Sequence, residues 1–529
     1  MRKSSWFVAL PAFILAAIPG FVFAQTLNDP LSAHEPDWQR TSLSWDGYGH
    51  DPQHTAVSAT AAQPLNNIHW KTRVDLNAPS GGDLYIHYGS PSVTARNTVL
   101  VPVKTGATGG FEVRAFVGET GDPLYTLASD YSLPTHNWIP PFGPVLSLDT
   151  RLYYPGAGGT VYYRDRVDAA DGPNGLPGAT GQVVFYGKAI YEANRAALNA
   201  AIRISTPITA DGSGNIFFGF IATPGNAAGV VSGIARIGPT GEGSWVSATS
   251  LAGNDRSITQ VALNCAPALS NDERTVYVAV SGGSDFTYGY LVSLNATTLA
   301  PIAHVQLFDP ATGDRAFVTS DSSAAPMAGP DGDVFYGVLE NPCCSSHNDR
   351  GWMLHFNSNL SKLKTPGSFG WDNTASVVPA WIVPSYTGRS SYLILTKYNN
   401  YVEAGTGDGV NKIAVLDPND TQPDEYSASH VKVMREVITV TGPTSDASVG
   451  YPNAVKEWCV NTTAIDPFTK SAIINSEDGV VYRWDFRSNT LAERLELTSG
   501  RGEAYTPTAI GPDGAVYAIN DAILFSVGW

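Results

Sequence analysis

Cysteine, methionine and charge are all scarce in this sequence of 529 residues. It has four cysteines and four methionines, and 15% of its residues are charged. Four cysteines are too few to hold a chain of this length together by disulfides, so a hydrophobic core must stabilise the fold. The absence of any CxxC or CxxCH motif argues against covalently attached haem and against a structural zinc site of paired cysteines.

Long apolar runs are also scarce, since the sequence has one, near its start. Arg2 and Lys3 precede an apolar stretch from Trp6 to Phe23, and small residues stand near Ala24. This pattern predicts a secretory signal peptide, residues 1–24, that is cleaved near Ala24. A membrane anchor is the alternative. We therefore expect a secreted or periplasmic protein with no membrane association once the signal is removed.

Basic residues are fewer than acidic ones: the sequence has 32 Lys and Arg and 48 Asp and Glu, which gives a net charge of −16. An acidic surface argues against nucleic acid and anionic lipid as partners, although it is also ordinary solubilising charge. We expect a monomer that binds a small-molecule ligand or a protein partner.

Glycine, proline and aromatic residues are abundant, and a phrase built from them recurs along the chain. A small residue, usually proline, precedes an apolar strand, a turn and a second strand, as in "SPSVTARNTVLVPV", "APALSNDERTVYVAV" and "TPTAIGPDGAVYAIN". The copies start at Pro91, Pro144, Pro207, Pro267, Pro326, Pro384, near Ala464 and at Pro507. Alternating apolar residues predict strands, and a spacing of about 50–60 residues fits one four-stranded blade per copy.

Eight copies predict an all-β protein, an eight-bladed β-propeller, with seven blades as the alternative. The last copy lacks a fourth strand, whereas "NNIHWKTRVDL" at 66–76 is a strand without a hairpin partner. We expect this N-terminal strand to close the ring by completing the last blade. The predicted organisation is a signal peptide (1–24), an N-terminal segment (25–65) that wraps the outside or crosses one face, and a single propeller domain (66–529). A helix is predicted over 187–203.

The repeats resemble those of pyrroloquinoline-quinone (PQQ)-like propellers, and "SWDGYGHDPQHTAVS" at 44–58 is similar to the entry segment of that family. The phrase "CCSSHNDRGW" resembles the adjacent-cysteine segment of quinone-dependent alcohol dehydrogenases. This second resemblance implies a Cys343–Cys344 disulfide beside a PQQ cofactor with Ca²⁺. Two features depart from it, because Cys343 and Cys344 stand in the fifth repeat and the calcium ligands and catalytic Asp have no matching context. Two reduced thiols in a loop remain the alternative.

The candidate site lies on one face of the predicted ring. Loops that lead into each innermost strand, and loops between the second and third strands, share a face and carry many polar and aromatic residues. The catalytic candidates are Lys456, Glu457 and Asp321. The candidates for ligand or cofactor binding are Cys343, Cys344, His136, Asn137, Trp138, Asn264, Trp381, Trp458, Glu503 and Tyr505. Packing of the rim and turn capping are the alternative role for each.

A glycine-rich loop with Asp168, Asp171 and Asn174 is a further metal candidate, because its oxygen groups suit calcium, although it lacks EF-hand spacing. Cys265 and Cys459 are expected to be free, buried thiols.

Three functions are compatible with these patterns. The first is a quinone-dependent oxidoreductase with its site on the axial face. The second is a propeller that binds or assembles without catalysis. The third is a carbohydrate-active propeller lyase or hydrolase.

Overall fold

The computed structural model describes residues 42–78, 88–107, 109–134, 141–148, 150–171, 177–500 and 507–529. In these residues nearly all of the regular secondary structure is β-strand, arranged in eight antiparallel sheets. Each sheet is one blade of a propeller, because strands of neighbouring sheets contact each other and the innermost strands of the first and last blades also meet. The prediction of an all-β, eight-bladed propeller is confirmed.

The first four blades follow one another along the chain, after a single strand β1 (Asn67–Arg73). Short α-helices, α1 (Lys188–Ala201) and α2 (Ala248–Leu251), flank the third blade, and α1 agrees with the predicted helix. The innermost strand is split in blades 3 and 4. The strands are β2 (Ser92–Val93), β3 (Thr98–Lys104), β4 (Phe111–Val117) and β5 (Pro123–Ser129) in blade 1; β6 (Val145–Ser147), β7 (Arg151–Pro155), β8 (Thr160–Asp165) and β9 (Thr180–Val184) in blade 2; β10 (Ile202–Ile204), β11 (Thr209–Ala210), β12 (Ile216–Ala222), β13 (Gly233–Ile237) and β14 (Gly243–Ser247) in blade 3; and β15 (Gln260–Val261), β16 (Ala268–Leu269), β17 (Thr275–Ser281), β18 (Gly289–Asn295) and β19 (Pro301–Gln306) in blade 4.

The last four blades complete the ring, and blade 5 has only three strands. Their strands are β20 (Met327–Ala328), β21 (Val334–Val338) and β22 (Trp352–Phe356) in blade 5; β23 (Ser376–Pro379), β24 (Tyr392–Tyr398), β25 (Lys412–Pro423) and β26 (Lys432–Thr441) in blade 6; β27 (Ala464–Asp466), β28 (Ser471–Asn475), β29 (Val480–Asp485) and β30 (Thr490–Glu496) in blade 7; and β31 (Ala509–Ile510), β32 (Val516–Asn520), β33 (Ile523–Gly528) and β1 in blade 8.

The ring closes as predicted, because β1 pairs antiparallel with β33 and forms the outermost strand of blade 8. Trp70 on β1 reaches blade 1, where its Nε1 donates to the carbonyl of Gly118 at 2.7 Å. A buried ion pair adds to this clasp, since Nζ of Lys104 lies 2.8 Å from Oδ1 of Asp75, in the connection that follows β1. The sheet edge thus joins strands from opposite ends of the propeller sequence, and the charge pair fixes the connection after β1 to blade 1.

The innermost strand of blade 6 differs from its prediction. The sixth repeat was expected to start at Pro384, but the strand is β23, and residues 380–391 connect it to β24. The sequence Val-Pro occurs twice here, at 378–379 and 383–384, and the innermost strand contains the first of these. The amide of Val377 in that strand donates to the carbonyl of Thr55 at 2.9 Å.

A segment at 45–57, the axial plug, lies along the inner edges of the innermost strands. Its backbone exchanges hydrogen bonds of 2.7–3.0 Å with six blades, through Val93, Leu146, Leu269, Ala328, Val377 and Ile465. Inner edges of propeller blades carry backbone groups that need partners, and the plug supplies them. Tyr48 of the plug is buried, and its hydroxyl contacts the carbonyl of Ser323 at 2.9 Å and Oγ1 of Thr374 at 2.7 Å, and donates to Oδ1 of Asn461 at 2.6 Å.

Neither α-helix in the described part of the chain has the length and apolar composition that a membrane span requires.

Candidate functional site

The upper face of the propeller is the end at which the chain enters the innermost strand of each blade. Loops between the second and third strands lie on the same face, and they include residues 339–351 of blade 5 and 399–411 of blade 6. Cys343 and Cys344 stand in the first of these, which we call the disulfide loop. The structure therefore places the adjacent cysteines on the face that the sequence predicted.

Cys343 and Cys344 are joined by a disulfide, and both are half-buried. A disulfide between neighbours closes no long loop, so its contribution to global stability through chain entropy is small. It instead places two sulfur atoms side by side on the upper face.

A buried carboxyl group shapes the disulfide loop from within. Glu340 is fully buried, and its side chain accepts hydrogen bonds from the amides of His347, Asp349 and Gly351 at 3.2, 2.8 and 2.7 Å. Burial raises the pKa of Glu340, and the amides of Gly351 and Asp349 oppose that effect. Three backbone donors that converge on one side chain hold the loop in a single curve.

Arg350 anchors the loop to blade 6. Its guanidinium is fully buried and donates to the carbonyl of Ser368 at 2.8 and 3.0 Å and to that of Asn399. The same group lies 3.7 Å from the ring centre of Tyr426 and 4.3 Å from that of Tyr398. A planar guanidinium stacks on aromatic rings while its fixed fork of N–H groups donates to carbonyls, and a lysine ammonium is not planar, so this anchor is specific for Arg350.

His347 and Asn348 add two further attachments. His347 stacks on Trp352 with ring centres 3.7 Å apart, and its Nε2 faces the carboxylate of Asp424 at 3.3 Å. The amide of Thr406, in the neighbouring loop, donates to Oδ1 of Asn348 at 2.8 Å. The disulfide loop is thus fixed to blade 6 on both sides of Asp349.

Asp349 is the titratable group beside the disulfide. Its Oδ1 lies 4.0 Å from Sγ of Cys343, and the residue is only partly exposed. Burial raises the pKa of Asp349 to about 6, the charge of Asp321 adds to the increase, and that of Lys397 opposes it. A carboxyl group that titrates near neutral pH suits proton transfer.

Asp321 and Asp372 extend the acidic surroundings of Asp349 toward the axis. Burial is the main cause of a raised pKa at Asp321, and Asp372 adds to it. Oδ1 of Asp321 is buried without a hydrogen-bond partner among the described residues. Asp372 accepts from the amide and the hydroxyl of Ser323 at 2.6 and 2.7 Å, next to Tyr48.

The predicted Lys456–Glu457 pair is divided between different partners. Nζ of Lys456 lies 2.9 Å from Oδ1 of Asp446. The amide of Glu457 donates to Oε1 of Glu477 at 2.8 Å, and Sγ of Cys459 lies 3.2 Å from Oε2 of the same carboxyl. Glu457 therefore belongs to a cluster with Cys459 and Glu477, and Lys456 pairs outside that cluster.

Trp381 is the candidate whose placement contradicts its prediction. It follows β23, in the connection between the first and second strands of blade 6, and so lies on the lower face. The innermost strand of blade 6 lies earlier in the sequence than predicted, so Trp381 follows this strand instead of preceding it. There the ring is half-exposed and lies 5.7 Å from Nζ of Lys470.

Asn264 and Trp458 are buried near the upper ends of their blades. Asn264 donates through Nδ2 to the carbonyl of Ser322 at 3.3 Å, and Trp458 packs edge-on against Tyr482. Both link neighbouring segments and contribute to packing. Cys265 and Cys459 are buried and neither forms a disulfide, as expected.

In the glycine-rich loop, each of the two described carboxylates has a protein partner. Oδ1 of Asp168 accepts from the hydroxyl of Thr94 at 2.6 Å, and Oδ1 of Asp171 pairs with Nη2 of Arg164 at 2.9 Å. Several other candidates lie outside the described residues, namely Asn174, His136, Asn137, Trp138, Glu503 and Tyr505.

Sequence reasoning missed the residues that surround the disulfide. Asp349 comes from blade 5 and stands within the quoted cysteine phrase, whereas Lys397 and Tyr401, which interact electrostatically with Asp349, come from blade 6. The "KYNNY" run at 397–401 was a usable signal, because a lysine inside an apolar strand is costly unless a charge faces it. Their convergence depends on the tertiary structure.

Comparisons with known proteins agree with this geometry at the level of the fold. No family model matches the sequence, and no curated protein matches it. Among solved structures, a europium-containing methanol dehydrogenase aligns over 91% of this chain and 90% of its own, with a TM-score of 0.52 and 9% identity. The fold is that of a PQQ-type propeller. A quinohemoprotein alcohol dehydrogenase from Comamonas testosteroni also aligns, over 92% of this chain and 77% of its own, with a TM-score of 0.51 and 11% identity. At such identities the likeness to PQQ-type propellers concerns architecture, and chemistry must be argued from the site.

Proposed function

We propose that the chain is an exported quinoprotein-like oxidoreductase that oxidises a small hydroxylated molecule on the upper face. The observation that supports this most is the position of Asp349 beside the Cys343–Cys344 disulfide, on a loop fixed to two blades. A proton acceptor and a hard, apolar wall on a rigid scaffold are what an alcohol oxidation site needs.

Asp349 is the group that takes the hydroxyl proton of the substrate. With a pKa of about 6 it is roughly nine-tenths ionised at pH 7, so it can accept a proton without a preceding deprotonation step. The opposing charge of Lys397 keeps the pKa from rising further. Glu340 and Arg350 act by positioning, because they fix the loop that carries Asp349.

The surroundings of Asp349 fit a planar quinone in part. The disulfide presents a compact apolar surface, and Trp371 and Tyr401 form an aromatic pair nearby, with ring centres 6.1 Å apart. Tyr401 is coupled electrostatically to Asp349, which places this pair next to the carboxyl group. A bound quinone would supply the acceptor for the electron pair that leaves the substrate.

Calcium fits the described residues less well. Two groups of three His, Cys, Asp or Glu ligand atoms come close enough for a shared ion, and each includes sulfur. Calcium prefers oxygen ligands, six to eight of them. We therefore assign no role to calcium at these residues.

A second candidate function is ligand binding without catalysis, and the charge of the site favours it. On the axial side, the charge of Asp321 acts on Asp349 and that of Asp372 acts on Asp321, whereas Lys397 is the basic group coupled to Asp349 in the described part of the chain. An acidic surrounding attracts cations and repels a carboxylated cofactor. The ligand in this case is a small organic cation.

One experiment separates the two functions. The purified full chain is titrated with PQQ and, separately, with a polyamine, followed by a dye-reduction assay with a panel of alcohols. We expect quinone binding and alcohol-dependent dye reduction, with at least a 100-fold loss in Asp349→Asn and full activity in Asp314→Asn, an exposed control on the same face. Polyamine binding with no quinone binding and no turnover would establish the second function instead.

A further inference from the structure

Aromatic side chains are exposed on the upper face, where blade 4 meets blade 5. Phe286 lies in the connection between β17 and β18, and Phe308 lies in the connection from blade 4 to blade 5. The two residues are 55% and 42% exposed. Phe286 also has a φ of 53°, a left-handed conformation that is uncommon for a bulky residue. A strained backbone that holds an apolar ring in solvent is a reason to look for function here.

Strand pairing places these rings on one face with three neighbours. Antiparallel bridges pair Phe308 with Arg315 and Tyr288 with Phe317. Side chains of directly opposed residues point to the same side, and so do those of residues two apart in a strand, such as Arg315 and Phe317. The Tyr288 ring stacks on Phe317 with centres 5.5 Å apart, and Phe286 meets Phe317 edge-on at 5.6 Å. We call Phe286, Tyr288, Phe308, Arg315 and Phe317 the aromatic ridge, and a contiguous exposed patch of this kind marks a binding surface.

Arg315 supplies the polar groups of the ridge. Its guanidinium lies 4.4 Å from the centre of the Tyr288 ring. Stacking uses the face of a guanidinium and leaves the N–H groups at its edge, where they donate hydrogen bonds in the plane. The pKa of Asp255 is lowered chiefly by hydrogen bonds from Ser257 and also by the charge of Arg315. The ridge therefore combines ring faces with hydrogen-bond donors, close to a carboxylate.

The ridge is joined to the disulfide loop. Phe317 exchanges backbone hydrogen bonds of 3.1 and 3.0 Å with Leu339, the first residue of that loop. Nδ2 of Asn341, two residues further on, donates to the carbonyl of Arg315 at 2.8 Å. A ligand on the ridge is thus held by a surface that continues into the loop of the candidate site.

The charges around the ridge select a neutral ligand. Asp285, next to Phe286, is exposed, and its charge acts on Asp321. Asp255 lies near Arg315, so the guanidinium stands among carboxylates, and the whole chain carries a net charge of −16. Nucleotides and acidic polysaccharides are anionic and are repelled here, whereas Arg315 repels an organic cation from the same rings.

A neutral sugar ring matches this surface. Its apolar C–H face packs on an aromatic ring, while the hydroxyl groups around its rim accept hydrogen bonds from N–H donors. Several rings in a row suit a chain of sugar units better than a single one. The chemistry of the ridge therefore points to a neutral oligosaccharide.

We propose that the aromatic ridge binds a neutral oligosaccharide, with sugar rings stacked on Phe286 and its neighbours and with Arg315 donating to their hydroxyl groups. The inference rests on the proposed oxidation in one point, which is that the bound saccharide is also the substrate. The ridge then holds the sugar units that are remote from the hydroxyl group at Asp349. Binding of remote units orients a reacting group and so contributes to catalysis.

Isothermal titration of the full chain, without quinone, tests the binding. The probes are cellohexaose, maltohexaose, xylohexaose and chitohexaose, each used separately, and a thymidine hexanucleotide as an anionic ligand that also stacks. We expect at least one of the saccharides to bind saturably and the hexanucleotide not to bind. Binding by none of the four saccharides, or binding of the hexanucleotide, would overturn the proposal.

Variants locate the binding surface. Phe286→Ala and Arg315→Gln should each weaken saccharide binding about tenfold. Phe468→Ala is the matched control and should leave the affinity unchanged, because Phe468 is an exposed phenylalanine between β27 and β28, on the lower face. Phe286 and Arg315 are exposed, so we expect both variants to fold, with near-UV circular dichroism as in the wild type. Wild-type affinity in both ridge variants would place the saccharide elsewhere and refute the assignment.

Turnover separates this inference from the proposed oxidation. With the saccharide as substrate in the dye-reduction assay, Phe286→Ala should raise KM about tenfold and leave kcat nearly unchanged. Saccharide binding without saccharide-dependent dye reduction would contradict the oxidation of this substrate class and confirm the ridge as a binding site. Dye reduction with a KM that Phe286→Ala does not change would overturn the ridge as a subsite of the reaction.

Discussion

Replacing Asp349 by asparagine should stabilise the folded protein at neutral pH while it removes the proposed activity. Burial holds the pKa of this carboxyl at about 6, against an ordinary value of 3.8. At about 1.4 kcal/mol for each tenfold change, that difference corresponds to about 3 kcal/mol by which ionisation of Asp349 opposes folding. Because the group is partly exposed, we expect solvent screening to reduce the gain to about 1–2 kcal/mol.

The sign of the effect follows from the raised pKa. Well below pH 4 Asp349 is protonated in both states, so the variant and the wild type should approach equal stability as the pH falls through 4. As the pH rises from 4 through 6, the unfolded chain ionises before the folded one, and the wild type should lose stability relative to Asp349→Asn. The difference should be constant above about pH 7.

Urea unfolding at pH 4, 5, 6 and 7 measures this difference. The backbone is tolerant of the change, since Asp349 has a φ of 61°, a conformation that asparagine adopts readily. Asp314→Asn, an exposed substitution, should stay within about 0.5 kcal/mol of the wild type at every pH. A stabilisation that is independent of pH, or a loss of stability at pH 7, would refute the assignment of a buried, pKa-raised carboxyl.

Three further predictions concern the scaffold. Tyr48→Phe should lower the free energy of unfolding, measured in urea, by about 1–3 kcal/mol, because three groups on the axis lose their hydroxyl partner. Tyr451→Phe at the surface is the control and should leave the free energy of unfolding unchanged. Lys104→Met should lower the free energy of unfolding by about 3–5 kcal/mol, because it leaves Asp75 charged and buried without its partner. Lys362→Met, at an exposed lysine, is the control. Equal stability of the two variants would contradict a stabilising role for the Lys104–Asp75 pair. Trp381→Ala should leave quinone affinity unchanged because Trp381 lies on the lower face, and a weakened titration would contradict that placement.

Much of the ring could be predicted from the sequence, because each blade repeats the same local pattern. Seven of the eight expected innermost strands begin where a proline or Ala464 marked them, and "NNIHWKTRVDL" closes the last blade. The sixth strand was misplaced because two similar valine–proline phrases compete, and a backbone bond from Val377 to the axial plug decides between them. Backbone bonds of this kind leave no side-chain signature in a sequence.

The candidate site was harder to predict than the fold. The position of Cys343 and Cys344 on the upper face follows from the order of strands, and the structure agrees. The environment of Asp349 does not follow from any local pattern, since its pKa depends on Asp321 from the connection before blade 5 and on Lys397 from a strand of blade 6. Glu477 likewise meets Cys459 only because a turn of blade 7 folds over the entry to its own innermost strand.

Hydrogen exchange with and without PQQ tests the location of the proposed site most directly. Ligand binding at the upper face should slow exchange in the disulfide loop, 339–351, and in the adjacent loop, 399–411. The connection 380–391 on the lower face should be unaffected, and Asp314→Asn should behave as the wild type. Protection confined to the lower face, or no protection anywhere at saturating quinone, would contradict an upper-face site beside the Cys343–Cys344 disulfide.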